Sequence, residues 1–253
     1  MAAVPLRNPK FVAKVETTSP PHPAARRDIP VVIRKDPPEW LVTAIAWAAG
    51  IALFVVAWAA VAKFGGRIPD PVMVGKAAAK IFADPFYSKG PNDQGIGWNV
   101  LSSLKRVGIG FGLAALVGIP LGFVIGRFKF MSGMADPIIA LLKPVSPLAW
   151  LPIGLLVFKA ANPAAIYVIF ICSLWPMIVN TAVGVRLSIG VAWLVIVAAE
   201  MLTGGVGIGF WVWDEWNNLK VEHIMIAIFT IGVVGLLLEQ ALVLAARRFN
   251  YGS

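Results

Sequence analysis

Four ionisable residues lie within or at the edges of long apolar stretches of this chain: Asp136, Lys143, Glu200 and Glu239. A charged side chain inside a hydrocarbon layer costs at least a few kcal/mol, so each is a candidate functional residue. Asp136 and Glu239 lie near one end of their stretches, where water would reach them. Lys143 and Glu200 are therefore the stronger candidates for contact with a charged solute.

Prolines follow Lys143 in the segment LKPVSPLAWLP and leave backbone groups without helical partners. An aqueous path for an anion could follow this segment, with Lys143 and Ser146 as the attractive groups. Alternatively, Lys143 extends its ammonium group to the membrane surface. Glu200 likewise either contacts the path or is solvated at the membrane surface. We predict a solute path formed by Lys143, Ser146, Trp150 and Glu200.

The sequence lacks the residues that independent catalysis would need. It has no G-x-x-x-x-G-K-[ST] loop, so any ATP must be hydrolysed by another chain. Its two histidines, His22 and His223, belong to no metal-ligand cluster, and no pair of nucleophile and base is visible. We therefore predict that the chain is not an enzyme and that it holds no metal or cofactor.

The composition indicates an integral membrane protein. Of the 253 residues, 58% are hydrophobic and 14% are charged, with a mean hydropathy of +0.79; soluble domains are about 45–50% apolar and about 25% charged. The net charge is +9, but the basic residues lie mainly in the N-terminal tail and at the ends of apolar runs. No basic face with interleaved aromatic residues is present, which argues against nucleic acid as a partner.

Six apolar runs predict an all-α membrane protein with six transmembrane helices. A flexible basic cytoplasmic tail, 1–39, precedes the transmembrane domain, 40–253, and a short interfacial helix is expected at 71–83. The loop 203–222 is rich in glycine and tryptophan, and its tryptophans could be membrane anchors or a docking surface for an external partner. The predicted crossings are 40–64, 100–126, 135–158 (broken by prolines), 163–185, 187–202 and 223–246.

Basic residues at the ends of the runs predict the orientation. With the tail inside, Arg127, Arg186 and Arg247 also fall inside, as the bias of Lys and Arg toward the cytoplasm requires. Lys105 and Arg106, at the outer end of the second crossing, are exceptions. We predict that both termini are cytoplasmic.

Glycines recur along the second crossing and predict close contact between helices. Small residues let helix backbones approach in lipid, so we expect these glycines to pack inside the bundle. They are Gly108, Gly112, Gly118, Gly122 and Gly126.

The chain resembles the permease subunit of an ATP-binding-cassette importer, in the branch that moves nitrate, sulfonates, bicarbonate and cyanate. The resemblance rests on IPDPVMV, SSLKRVGIGFGLAALVGIPLGFVIGR, KPVSPLAWLPIGLLVF and AAEMLTGGVGIGFWVWDEWNN. The last two blocks resemble the nitrate-type subfamily more than the sulfonate one. It implies a homodimer in the bacterial inner membrane, with the solute path between the subunits. It also implies cytoplasmic ATP-binding subunits and a periplasmic or lipid-anchored substrate-binding protein.

One departure concerns the segment between the fourth and fifth crossings. The family has a cytoplasmic loop of a few dozen residues there, whose short helix docks into the ATPase subunit. Here NTAVGVR runs directly into LSIGVAWLVIVAAEM. We predict a tight turn at 184–188 with Arg186 at its tip. The shortened coupling region is Gly184, Val185, Arg186 and Leu187.

A single helix over 163–202 is the geometric alternative to that turn, but it would be about 60 Å long, twice the hydrocarbon thickness. The functional alternatives are a permease for nitrate or a related anion and a membrane assembly subunit that has lost transport with its coupling loop. An ion-gradient-driven carrier is disfavoured because no internal repeat is visible.

Overall fold

The computed structural model describes residues 38–65, 68–179 and 181–249, so the predicted tail at 1–39 lies almost wholly outside the described residues. The chain separates into two units, 1–49 and 50–253. The described part of the first unit is the initial segment of an exposed apolar helix, and all packing considered below lies within the second unit. Throughout the described ranges the regular structure is helical, with one isolated bridge between Ser88 and Gln94.

The prediction of an all-α membrane protein is confirmed. Five described helices are long and apolar enough to cross a membrane, and a bent pair supplies a sixth span if it is counted as one. In chain order the helices are α1 (Glu39–Gly65), α2 (Pro71–Ala83), α3 (Ile96–Arg127), α4 (Lys129–Leu142), a 3-10 turn (Pro147–Trp150), α5 (Leu151–Phe158), α6 (Ala161–Val179), α7 (Thr181–Thr203), α8 (Ile208–Asn217) and α9 (Val221–Phe249).

The interfacial helix and the broken crossing follow their local sequence. Helix α2 has the predicted bounds because the Asp70 carboxylate accepts from Met73 N at 2.6 Å and Pro71 occupies the first turn. Helices α4 and α5 meet at 96° across the proline-containing segment after Lys143. The prolines therefore break the third crossing as expected.

The predicted loop 203–222 contains a helix, α8, and the loop prediction is wrong there. Helix α7 ends where Gly204 and Gly205 adopt positive φ values of 76° and 92°, which only glycine adopts at little cost. Helix α8 then begins at Ile208, although its N-cap, Gly207, has no side chain to cap it. The missing cap is the physical reason that the local sequence did not reveal this helix.

Helices α6 and α7 form an antiparallel hairpin, so the alternative of one continuous helix is wrong. The Ser188 hydroxyl donates to the Ser173 carbonyl at 2.8 Å, and Gly184 lies against Pro176. Both contacts place the bend next to residue 180 and not at 184–188. The predicted turn position is therefore wrong, since Gly184, Val185, Arg186 and Leu187 lie within α7.

The core lies between α3, α6 and α7, and glycines allow two of these helices to approach closely. A Cβ at Gly118 would stand 3.1 Å from Met177 Cβ, so Gly118 lies close against α6. Gly122 is also buried. A Cβ at Gly108, Gly112 or Gly126 would meet nothing within 4 Å among the described residues, so the packing predicted for these three stays a prediction.

We expect Gly184→Ala to destabilise the α6–α7 hairpin by about 1–3 kcal/mol, because the added Cβ would overlap the Pro176 carbonyl. Gly190→Ala, in the same helix but in open space, should be neutral or stabilising by up to about 1 kcal/mol. Thermal unfolding in detergent can be followed by dye labelling of Cys172, the single cysteine of the sequence. Equal stability of the two variants would contradict the hairpin geometry.

Candidate functional site

The predicted path residues lie at two ends of the α6–α7 hairpin. Lys143 lines a cavity together with Ile178 and Val179, the last residues of α6. Glu200 lies near the far end of α7, about 28 Å along the helix axis from Thr181. We call these the Lys143 end and the Glu200 end of the bundle. The structure therefore does not bring Lys143 and Glu200 together.

The Glu200 carboxylate is the centre of a buried polar cluster. Glu200 is 1% exposed. Its carboxylate pairs with the Arg106 guanidinium, and each of its two oxygens lies 2.8 Å from the Ser103 hydroxyl oxygen. It also accepts from the backbone N–H of Gly209 at 3.0 Å. These donors compensate the charge, which would otherwise cost several kcal/mol in an apolar bundle.

The same cluster caps the amino end of α8. Gly207 N donates to Asn99 Oδ1 at 2.9 Å, Ile208 N donates to Ser103 Oγ at 3.0 Å, and Gly209 N donates to Glu200. The first N–H groups of a helix have no partner within that helix, and here α3 and α7 supply the acceptors. The negative carboxylate also lies at the positive end of the α8 dipole. Helix α8 is thus positioned by side chains of other helices.

Arg106 extends the cluster to a fourth helix. Its Nε donates to Asn162 Oδ1 at 2.9 Å, in the first turn of α6, while its Nη1 pairs with Glu200. Asn99, Ser103 and Arg106 follow one another at spacings of four and three on α3, so they share one helix face. The ion pair therefore joins α3, α6, α7 and α8 at one level of the bundle.

Sequence reasoning identified Glu200 but missed Arg106, Ser103 and Asn99. The available signal was the exception to the orientation rule: Lys105 and Arg106 are basic residues at the wrong end of an apolar run. Lys105 is exposed, whereas Arg106 is 8% exposed. A basic residue out of place in this way is explained when a buried carboxylate on another helix requires it.

The Lys143 end contains a partly polar cavity of about 450 Å³. Asp136 in α4 and Lys143, the residue after α4, line one side of it, and Gly122 and Gly126 line it from α3. Ser146, which is exposed, precedes the 3-10 turn, and Trp150 at the end of that turn packs against the core. Lys143, Ser146 and Trp150 thus follow one continuous segment, of which Lys143 reaches the cavity.

Helix α8 divides its tryptophans between the core and the surface. Trp211 is 7% exposed and stacks on the His223 ring with centroids 6.0 Å apart. The Glu215 carboxylate lies 3.1 Å from His223 Nδ1 and 3.4 Å from Lys220 Nζ. Trp213 and Trp216 are 44% and 56% exposed. Only these two remain available as membrane anchors or as a docking surface.

Three quarters of the chain aligns with membrane permeases. It is 39% identical to a nitrate import permease protein of Synechocystis sp., over 76% of this chain and 84% of the relative. It is 41% identical to a nitrate import permease protein of Leptolyngbya laminosa, over 67% of this chain and 74% of that relative. It is 35% identical to a bicarbonate transport system permease protein of Synechococcus elongatus, over 76% of this chain and 84% of that relative. No family model matches the chain.

These similarities define the class: a multi-pass membrane protein that serves as a transport subunit. The chain belongs to the permease subunits of ATP-binding-cassette importers for small anions. Members of this family work with ATP-binding and substrate-binding partner proteins, and the relatives are permeases and not enzymes in their own right.

The alignment also contains positions of the relatives that have no counterpart in this chain. The match to the Synechocystis permease extends over 232 positions, whereas 76% of 253 residues is about 192. The relative therefore has about 40 positions without a counterpart here. The bicarbonate permease of Synechococcus elongatus aligns over 234 positions at the same 76% of this chain, which implies a gap of similar size.

We expect Glu200→Ala and Arg106→Ala each to destabilise the protein by about 3–5 kcal/mol, because each leaves a buried charge without its partner. The double variant should cost less than the sum of the two, with a coupling energy of about 1–3 kcal/mol. Thermal unfolding of all four proteins completes the cycle.

Asp136→Ala is the control for that cycle, because Asp136 is an exposed carboxylate and its loss should cost less than about 0.5 kcal/mol. Strictly additive costs of Glu200→Ala and Arg106→Ala would contradict the ion pair.

Proposed function

We propose that this chain is the membrane subunit of an importer for nitrate or a closely related small anion. The similarity to nitrate import permeases over most of the chain carries this proposal. Bicarbonate is the next candidate substrate, since bicarbonate permeases are 35% identical. Nitrite, cyanate and sulfonates have the same charge sign and form a wider substrate class.

Lys143 is the proposed anion contact. Its ammonium group is a mobile point charge at the rim of a cavity that reaches between α3, α4 and α6. Ser146 and Trp150 continue the path along the segment broken by prolines. Glu200 is assigned a different part in this proposal: with its carboxylate fully engaged, it positions the helices at the opposite end of the path.

The Lys143 end faces the cytoplasm in this proposal, and the protein lies in the bacterial inner membrane with both termini cytoplasmic. Arg127, Lys129 and Arg186 support this orientation because they lie at that end of the bundle. The exposed Trp213 and Trp216 then face the periplasm. They are suited to contact a periplasmic or lipid-anchored substrate-binding protein.

A homodimer with the path between its subunits completes the proposed assembly, together with cytoplasmic ATP-binding subunits. The outward glycines support a second copy, because Gly108 and Gly112 present a small-residue face that the described part of the chain leaves uncovered.

A second candidate function follows from the missing segment. Helices α6 and α7 form the fourth and fifth predicted crossings, between which the family is expected to carry its loop for the ATPase. About 40 positions of the Synechocystis relative have no counterpart in this chain, and a single residue separates α6 from α7, which is too few for a docking helix. Under this alternative the chain is a membrane assembly subunit that does not couple ATP hydrolysis to transport.

Uptake measurements distinguish the two candidates. The chain is reconstituted in proteoliposomes with ATP-binding and substrate-binding subunits from a nitrate importer, either unchanged or with the relative's additional segment inserted between Arg186 and Leu187. A transporting permease gives nitrate-dependent ATP hydrolysis and uptake without the insertion. A chain that has lost its coupling loop gains both only with the insertion, and failure of both forms would contradict the proposed function.

We expect Lys143→Ala to raise the KM for nitrate about tenfold, which corresponds to roughly 1.4 kcal/mol of lost attraction, in whichever form supports uptake. Lys143→Arg should keep most of the affinity because it keeps the charge. Lys129→Ala, which removes a nearby exposed charge outside the cavity, is the matched control. Equal KM values for the Lys143→Ala and Lys129→Ala proteins would remove Lys143 from the path.

A further inference from the structure

Helices α7 and α9 enclose a groove of about 520 Å³ that the transport path does not use. Glycines keep the groove open, since a Cβ at Gly190 or Gly232 would meet nothing within 4 Å. Its walls are apolar except at one end, where Arg186 and Glu239 line it. The apolar wall residues include Leu187, Ile189, Trp193, Leu194, Val197 and Leu236.

The two charged residues lie at the same level of the bundle. Trp193 Nε1 donates to the Ile231 carbonyl at 3.0 Å, which fixes the antiparallel register of α7 and α9. Arg186 precedes Trp193 by seven residues and Glu239 follows Ile231 by eight, so each lies about 11–12 Å toward the Lys143 end. Both side chains are exposed. The groove thus has a zwitterionic end and an apolar body.

The length of the groove suits an acyl chain. From Arg186 to Val197 it follows α7 for about 16 Å, which is about half of the hydrocarbon thickness. Its volume falls in the range of about 300–1,000 Å³ typical of small-molecule sites. A helix about 10 Å across would not enter it, so a second copy of this chain is a poor occupant.

We propose that this groove binds a phospholipid with a primary amine headgroup, such as phosphatidylethanolamine. The Arg186 guanidinium binds the phosphate, with which it can form paired hydrogen bonds. The Glu239 carboxylate accepts from the ammonium group, and one acyl chain lies along the Trp193 wall. An anionic headgroup would meet the repulsion of Glu239, and a choline headgroup has no N–H to donate to it.

Binding can be measured on the full chain purified in detergent without lipid. Palmitoyl-oleoyl phosphatidylethanolamine, phosphatidylcholine and phosphatidylglycerol are titrated separately, with bound lipid counted by native mass spectrometry. We expect one ethanolamine lipid to bind about fivefold more tightly than the other two, as one exposed ion pair allows. Glu239→Gln should lower its affinity to that of phosphatidylcholine.

Gly190→Leu tests the groove itself, because the larger side chain fills open space and should abolish selective binding while unfolding stays unchanged. Asp136→Asn is the matched control, since Asp136 is an exposed carboxylate of the same end that lines a different cavity, and it should keep the preference. Equal binding of the three lipids, a preference that survives Glu239→Gln, or a change of oligomeric state in the Gly190→Leu protein would each overturn the proposal.

Discussion

The pairing of the Glu200 carboxylate with Arg106 is the interaction on which the rest of the bundle depends. Both groups are buried among apolar helices, where an ion without a partner is strongly unfavourable. Each must therefore be met by a donor or acceptor on another helix, and the observed arrangement does so by bringing α3, α6, α7 and α8 together. Packing alone between apolar helices in lipid has no comparable directionality.

Helix lengths explain where the hairpin turns. With the break at residue 180, α6 and α7 have 19 and 23 residues, or about 28 and 34 Å. Both lengths match a hydrocarbon layer of about 30 Å. A turn at Arg186 leaves only about 24 Å for the second helix. The bilayer thickness, together with the close contact of Gly184 and Pro176, therefore favours the earlier turn.

The two ends of the bundle have different chemistry, and this supports a division of labour in transport. At the Glu200 end the charges are buried and fully compensated, so that end is suited to hold helices in a defined arrangement. At the Lys143 end the charges of Asp136, Lys143, Arg186 and Glu239 are exposed or line cavities. Those groups remain available to solutes and lipid headgroups, which is what a path and a membrane surface require.

The sequence by itself determined that lipid surrounds the apolar helices, about how many such helices there are, and the family to which the chain belongs. Length and hydropathy suffice for these because a spanning helix must be continuous and apolar, so α1 and α9 lie within a few residues of their predicted bounds. The broken crossing after Lys143 was equally predictable, since proline removes backbone hydrogen bonds wherever it occurs. Local rules of this kind do not require knowledge of a partner.

Only the tertiary structure decided the turn near residue 180, the existence of α8 and the part played by Arg106. Helix α8 has a glycine at its N-cap and obtains its caps from Asn99 and Ser103, which lie 108 and 105 residues from the groups they cap, and from Glu200 on the preceding helix. From the sequence, Arg106 is only an exception to the rule that places basic residues on the cytoplasmic side, and the structure explains it by its ion pair with Glu200. These features depend on contacts between distant segments, and such contacts leave no periodic pattern in the chain.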